Sequence, residues 1–296
     1  MLGLVAGNQL GVPTEPLRTA KAIRQAFPSG VWDLAPPPPN SPYDDDAALT
    51  LLLAESLVQQ GDFDARDVAR RWTEWMKKDG RGLGVTTRRA LRLIEQGTEP
   101  FEAGRQARAA NPQASAGNGS VMRCLPVAIR WHDSAERLMR VSTQQAAITH
   151  SDDRCLWGAA AVNLAVRELL HGNDYFVDEV VHQIDGRAPK VLVEAIRRAL
   201  TEEQGDLPVD RPGETGYVVH CVEIAFWFAS HSRSLEDALV YLAQAGGDTD
   251  TNAAVTGALL GARDGESAIP QRWMAQLAGA SSIAQLGNRL LEAARK

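Results

Sequence analysis

Asp248-Thr249-Asp250-Thr251-Asn252-Ala253-Ala254-Val255-Thr256-Gly257-Ala258-Leu259-Leu260-Gly261-Ala262 is the segment from which the rest of the chain is read. From Asn252 to Ala262 it is nearly all Ala, Val, Leu and Gly, which predicts a buried helix whose small residues let a neighbouring axis approach closely. Gly246-Gly247 ends the preceding helix, so Asp248 and Asp250 sit two apart in a tight turn at the edge of a core. Carboxylates without a partner are costly to desolvate there. No lysine lies nearby in the sequence, and a hard divalent cation satisfies several carboxylates at once, with Thr251 adding a neutral oxygen. The plainer alternative is that Asp248 caps the helix and Asp250 points to solvent.

Outward from this segment the same helical spacing recurs. Val68, Trp72, Trp75 and Met76, then Leu192, Ala195, Ile196 and Ala199, then Leu235, Leu239 and Leu242 each mark an apolar face. Gly61 closes a helix from Ala47 to Gln60, Asp64 caps the next, and Ser234 with Asp237 resembles a capping box. Period-2 strands are missing; Tyr217-Val218-Val219 is the best extended candidate, and no β-α-β repeat appears. The prediction is an all-α packing of ten or more helices. The proline run Pro36–Pro39 reads as a stiff connector delivering the chain to Asp44.

A chain of 296 residues with 44% hydrophobic content can build a sizeable core. Its net charge of −6 and lack of a Lys/Arg cluster argue against a basic face for nucleic acid or anionic membrane. The longest nearly apolar run, Cys155–Val162, is too short to span a bilayer. No basic leader opens the chain, so the expected location is the cytoplasm. Cys124, Cys155 and Cys221 suit reduced core thiols better than a disulfide frame.

A second acidic cluster, Asp44-Asp45-Asp46, opens one of the most apolar helices. Read alone, one aspartate is a cap and the others favour the helix's positive end. A calcium hand needs alternating oxygens, a glycine and a distant Glu, and a zinc site prefers close His or Cys; neither pattern is present. His132-Asp133 lacks the upstream histidine that a His-Asp phosphohydrolase requires. Two glycine loops, Gly80–Gly84 and Ser115–Ser120, follow no strand, which excludes a dinucleotide fingerprint. The second leads into Val121–Pro126, and its backbone N–H groups with a helix start suit an anion, although an Asn-Gly turn is by itself a weak signal. Read singly, His150 is a core or cap residue, Glu15 a surface charge, and Trp72 and Trp75 core rather than a base platform. Arg123 fits either a phosphate contact or a buried ion pair.

Gly7-Asn8-Gln9-Leu10-Gly11-Val12-Pro13-Thr14-Glu15, Tyr43–Asp46, Gly117–Arg123, Thr149-His150 and Gly246–Thr251, taken in order, resemble the ADP-ribosylglycohydrolase family essentially from end to end. The resemblance implies a compact orthogonal helix bundle, one domain over residues 1–296, with two magnesium or manganese ions in a cleft. By position it implies Asp44, Asp45, Asp46, Asp248, Asp250 and Thr251 as metal ligands, with Glu15, Asp45 and Asp248 carrying the catalysis. It implies Gly82 and Gly84 as a ribose-side loop, Gly117, Asn118, Gly119 and Ser120 as the diphosphate and ribose loop, and Met122 and His150 as further substrate contacts. Asn8, Asp44 and Ala47 depart from the family's aspartate, threonine and threonine, which bears on substrate choice and rate more than on fold.

The expected function is metal-dependent hydrolysis of the glycosidic bond between ADP-ribose and an acceptor, a protein side chain or a small molecule. A non-catalytic ADP-ribose-binding or structural protein, and a two-metal phosphoesterase acting on an ADP-ribose-type nucleotide, are the alternatives. The expected partner is ADP-ribose or an ADP-ribosylated substrate, with nucleic acid only in that form, no membrane, and a monomeric chain.

Overall fold

Glycine at every fourth position of the first helix, Leu2–Gly11, decides how the molecule assembles. A Cβ on Gly3 would lie 2.3 Å from the carbonyl oxygen of Gly257, one on Gly7 2.1 Å from that of Ala253, and one on Gly11 2.4 Å from the Cα of Asp250. Residues four apart share a helix face, so this face is bare backbone against bare backbone, and the two helices run antiparallel. The chain leaving Gly11 therefore emerges beside the acidic turn that opens the Thr249–Asp264 helix.

The computed structural model describes residues 1–114, 116–211 and 213–294, so Ser115 of the second glycine loop lies outside the described residues. Among them are sixteen α-helices and no strand; the β-type pairing is confined to isolated bridges, Thr19 with Gly246 and Gly117 with Tyr217. Tyr217 is thus the extended residue of its segment, while Val218 and Val219 already belong to the helix Val218–His231, whose apolar content is satisfied by burial on all sides.

Thr249–Asp264 is the central helix, buried from Thr249 to Leu260 and packed against Leu2–Gly11, Val218–His231, Leu235–Ala245 and Asp153–Leu170. Full burial of Leu259 and Leu260 stabilises the fold by about 1.5–3 kcal/mol each. The helix begins at Thr249 rather than Asn252, which puts Asp250 and Thr251 inside its first turn. Likewise the Asp45–Gln60 helix starts two residues before Ala47, and Gly61 at φ 76° ends it. Asp64 caps Ala65–Lys78 through the amides of Arg66 and Asp67, and Ser234 caps Leu235–Ala245 through that of Asp237.

Trp72 is fully buried and donates its indole N–H to the carbonyl of Leu49, with Trp75 packed on the core beside it. All three cysteines are buried, and burial pushes the Cys124 and Cys155 thiols up to about 12, which keeps them in the unreactive thiol form. No helix among the described residues is long and apolar enough to cross a membrane.

Candidate active site

Two helix N-termini converge at the C-terminal end of the first helix. Asp44, Asp45 and Asp46 open one, and Asp248, Asp250 and Thr251 open the other. Thr251 donates its hydroxyl to the Asp46 carboxylate at 3.3 Å, and the Asn8 amide donates to the same oxygen at 3.0 Å. Carboxylate oxygens of Glu15, Asp248 and Asp250 lie within 4.8 Å of one another. Residues more than 200 apart in sequence thus form one acidic cluster, and Glu15 belongs to it rather than standing apart as surface charge.

The bond partners decide between the plain and the chemical reading of these aspartates. Neither Asp44 nor Asp248 makes a side-chain capping bond, although each occupies the cap position. Asp250 is buried, not solvated, at 4% exposure. One oxygen of Asp44 and one of Asp250 are buried with no hydrogen-bond partner.

Burial, then the neighbouring aspartates, holds Asp45, Asp46 and Asp250 well above the usual carboxylate range. Burial also pushes Asp44 up to about 6 against the pull of Asn8 and Arg81. Glu15 is raised by burial, offset by the Arg18 guanidinium 2.9 Å away. Two helix dipoles favour negative charge at this spot by about 0.3–1 kcal/mol each, too little to offset several buried like charges. Orphaned, converging, hard oxygen donors are the donor set that a divalent cation takes.

The backbone around the cluster is braced by close contacts. Gly247 donates its amide to the carbonyl of Arg18 at 2.8 Å, Thr249 donates to the carbonyl of Gly11 at 3.0 Å, and Gly247, at φ 73°, leaves no room for a side chain against Val209. Gly82, at φ 79°, passes over the first cluster so closely that a Cβ would sit 2.1 Å from an Asp45 oxygen. Gly84 instead takes the N-cap position of Val85–Glu95, with nothing within 4 Å of its missing side chain.

The second glycine loop reaches the cluster through Asn118, whose amide side chain donates to Asp248 at 2.8 Å and whose backbone N–H donates to the carbonyl of Gly216 at 2.8 Å. The loop leads into a short 3-10 turn, Asn118–Ser120, and the next helix begins only at Leu125, so the expected helix start does not stand directly behind it. Gly117 and Gly119 lie over His150: a Cβ would come within 3.3 Å of its Nε2 at the first and 2.9 Å of its Cε1 at the second.

Ser120 and Met122 are buried beneath the loop, the serine hydroxyl donating to the Cys155 carbonyl and the Met122 carbonyl accepting from Thr50. A groove of about 420 Å³ runs from Gly117 past Arg154, Gly216 and Tyr217. Of its two expected contacts, Arg123 does not make the buried ion pair. It is fully buried, stacked 4.2 Å over Trp72 and bonded to Thr149 at 2.6 Å, and among the described residues no carboxylate is within ion-pair reach.

Sequence reasoning missed the Gly3-Gly7-Gly11 face, which its four-residue spacing would have revealed, and the Gly216 segment beside Asp248, which carries no local signal.

A model of the ADP-ribosylglycohydrolase family matches residues 1–296. The chain belongs to the ADP-ribosylglycohydrolase family. It is 28% identical over 286 residues to the ADP-ribosyl-(dinitrogen reductase) glycohydrolase of Rhodospirillum rubrum, covering 93% of this chain and 88% of that one. It is 28% identical over 307 residues to the ADP-ribosylarginine hydrolase Tri1 of Pseudomonas putida, covering 99% and 77%. Among solved structures it is similar to an ADP-ribosylglycohydrolase-related protein complex, with a TM-score of 0.80, 28% identity, and coverage of 99% of this chain and 95% of the other. The family match spans the acidic cluster and both glycine loops.

Proposed function

We propose that this chain, acting as one domain over residues 1–296, hydrolyses the glycosidic bond that joins ADP-ribose to an acceptor, and that it does so with two divalent cations, magnesium or manganese. The observation that carries the reading is the meeting of the 44–46 and 248–251 turns with Glu15 in one largely buried acidic cluster that keeps unpartnered carboxylate oxygens. Asp44, Asp45, Asp46, Asp248, Asp250 and Thr251 are the residues that would hold the ions, with Glu15 at the rim. When bound, such a pair supplies Lewis acidity and a water of lowered pKa.

The chain's own groups do the rest. Asn8 and Thr251 fix the Asp46 carboxylate, and Asn118 fixes Asp248. Gly82, which lies directly against Asp45, is assigned to the ribose-side edge of the cluster. The Gly117–Ser120 loop offers backbone to the diphosphate, and the groove toward Arg154 and Tyr217 is the space for the nucleotide end. Glu15, held by Arg18, is the carboxylate assigned to orient the reacting ribose or to take up a proton as the anomeric carbon gains oxocarbenium character. The names of the relatives support ADP-ribosylated protein as the substrate class.

The test is incubation with ADP-ribosylated arginine, serine and nucleic-acid ends, each with magnesium, with manganese and with a chelator. The expected result is release of free ADP-ribose from at least one substrate, abolished by the chelator. Binding with no product would point to a non-catalytic protein, and free phosphate in place of ADP-ribose to a phosphoesterase.

A further inference from the structure

His150 sits at the end of a buried chain of hydrogen bonds that begins at an arginine. Arg123 is fully buried, its Nη2 is 2.6 Å from the Thr149 hydroxyl, and that hydroxyl is 2.8 Å from Nδ1 of His150. A guanidinium has only donors, so the threonine oxygen accepts from Arg123. The hydroxyl has one proton of its own. Were Nδ1 also protonated, the oxygen would accept twice, and its own proton would be left in the core without a partner, at the cost of an unsatisfied buried donor. The threonine therefore donates to Nδ1, and the neutral ring carries its hydrogen on Nε2.

Nε2 is the atom that faces the glycine loop, 3.3 Å from where a Gly117 side chain would begin. It has no hydrogen-bond partner among the described residues. Burial, then the charge of Arg123, push the imidazole down to about 3 against the pull of Asp152, so the ring stays neutral. Two other nitrogens of Arg123, Nε and Nη1, are buried without partners, an arrangement that costs stability.

We infer that Arg123 and Thr149 are positioning residues that lock His150 in its Nε2–H tautomer, aiming one neutral N–H donor at an oxygen acceptor of the substrate under the Gly117–Ser120 loop. The identity of that acceptor, a phosphate or ribose oxygen of ADP-ribose, rests on the function proposed above; the tautomer does not. A neutral donor discriminates by geometry rather than by charge, which suits a site already crowded with ions.

Long-range ¹⁵N–¹H spectra of the imidazole side chains in the ligand-free protein test the tautomer directly. The wild type is expected to show His150 protonated at Nε2 and bare at Nδ1. Thr149→Val, nearly isosteric but without the hydroxyl, is expected to lose that preference, and Thr149→Ser to keep it. Calorimetry with free ADP-ribose and magnesium is then expected to show binding to Thr149→Val about tenfold weaker, with Thr149→Ser near wild type. A wild-type ring protonated at Nδ1, a valine variant with an unchanged tautomer, or equal ADP-ribose affinity in the valine and serine variants would overturn the inference. A wild type that does not bind ADP-ribose at all overturns the proposed function instead, and the ligand-free spectra still judge the tautomer.

Discussion

Replacing Asp250 by Asn is expected to lower metal-dependent release of ADP-ribose by at least about a hundredfold, because even the partners behind a metal ligand are worth 10- to 100-fold. The same substitution is expected to raise the melting temperature of the metal-free protein. Burial and the surrounding aspartates hold the folded-state pKa of Asp250 well above its ordinary value. A raised carboxylate pKa means that ionisation opposes folding at every pH above the unfolded value, and this penalty is relieved only as pH falls. Asparagine removes it. Added manganese or magnesium should then stabilise the wild type and leave the variant nearly unchanged. Thermal melts with chelator and with metal, run beside the hydrolysis assay, read both signs. A variant that is active, or less stable without metal, contradicts the assignment of Asp250 as a ligand.

Gly7→Val is expected to produce the largest structural loss of any conservative substitution in the first helix. Its Cβ would fall 2.1 Å from the carbonyl oxygen of Ala253, inside backbone that has no freedom to retreat. Overpacking of this kind costs about 1–3 kcal/mol and sometimes more, and at about 2–4 °C per kcal/mol the melting temperature should fall by several degrees. The damage reaches the site, since the same interface sets Gly11 against Asp250. Calorimetric melts of Gly7→Val and of Val5→Ala separate the two costs. Loss of contacts alone would make the two alike, whereas a backbone clash makes Gly7→Val the worse and weakens its metal response too.

The helices and the two acidic turns were legible because their signals are local. Apolar spacing, Gly61 after Gln60 and Asp64 before Ala65 each act within one turn of chain, and a run such as Asn252–Leu260 has no stable place except a core. The chemical reading of Asp248 and Asp250 followed from the cost of burying charge at the edge of that run. Three features were not legible in this way. Arg123 looks like a phosphate or carboxylate partner in sequence, yet it stacks on Trp72, a contact that only the packing of its turn against the distant Ala65–Lys78 helix creates. Gly216 approaches Asp248 from a loop with no pattern of its own. The start of the Thr249–Asp264 helix was placed late because Asp and Thr are poor helix formers, and here the positive helix end and the Thr251–Asp46 bond override that preference.

The motif order adds what periodicity cannot supply, the expectation of one site for segments that the structure brings together: Glu15 lies beside Asp248, Asn118 of the Gly117 loop donates to Asp248, and His150 lies under that loop. Asn8 and Asp44, two of the departures from the family pattern, act on the cluster in opposite senses: Asn8 donates to Asp46, and Asp44 adds a carboxylate with an unpartnered oxygen.

Anomalous diffraction at the manganese edge from crystals soaked in manganese chloride tests the shared-cation claim most directly. Two strong peaks are predicted, bounded by oxygens from Asp44–Asp46 on one side and from Asp248, Asp250 and Thr251 on the other. No peak in this cluster, or an ion held by one of the two turns alone, would contradict it.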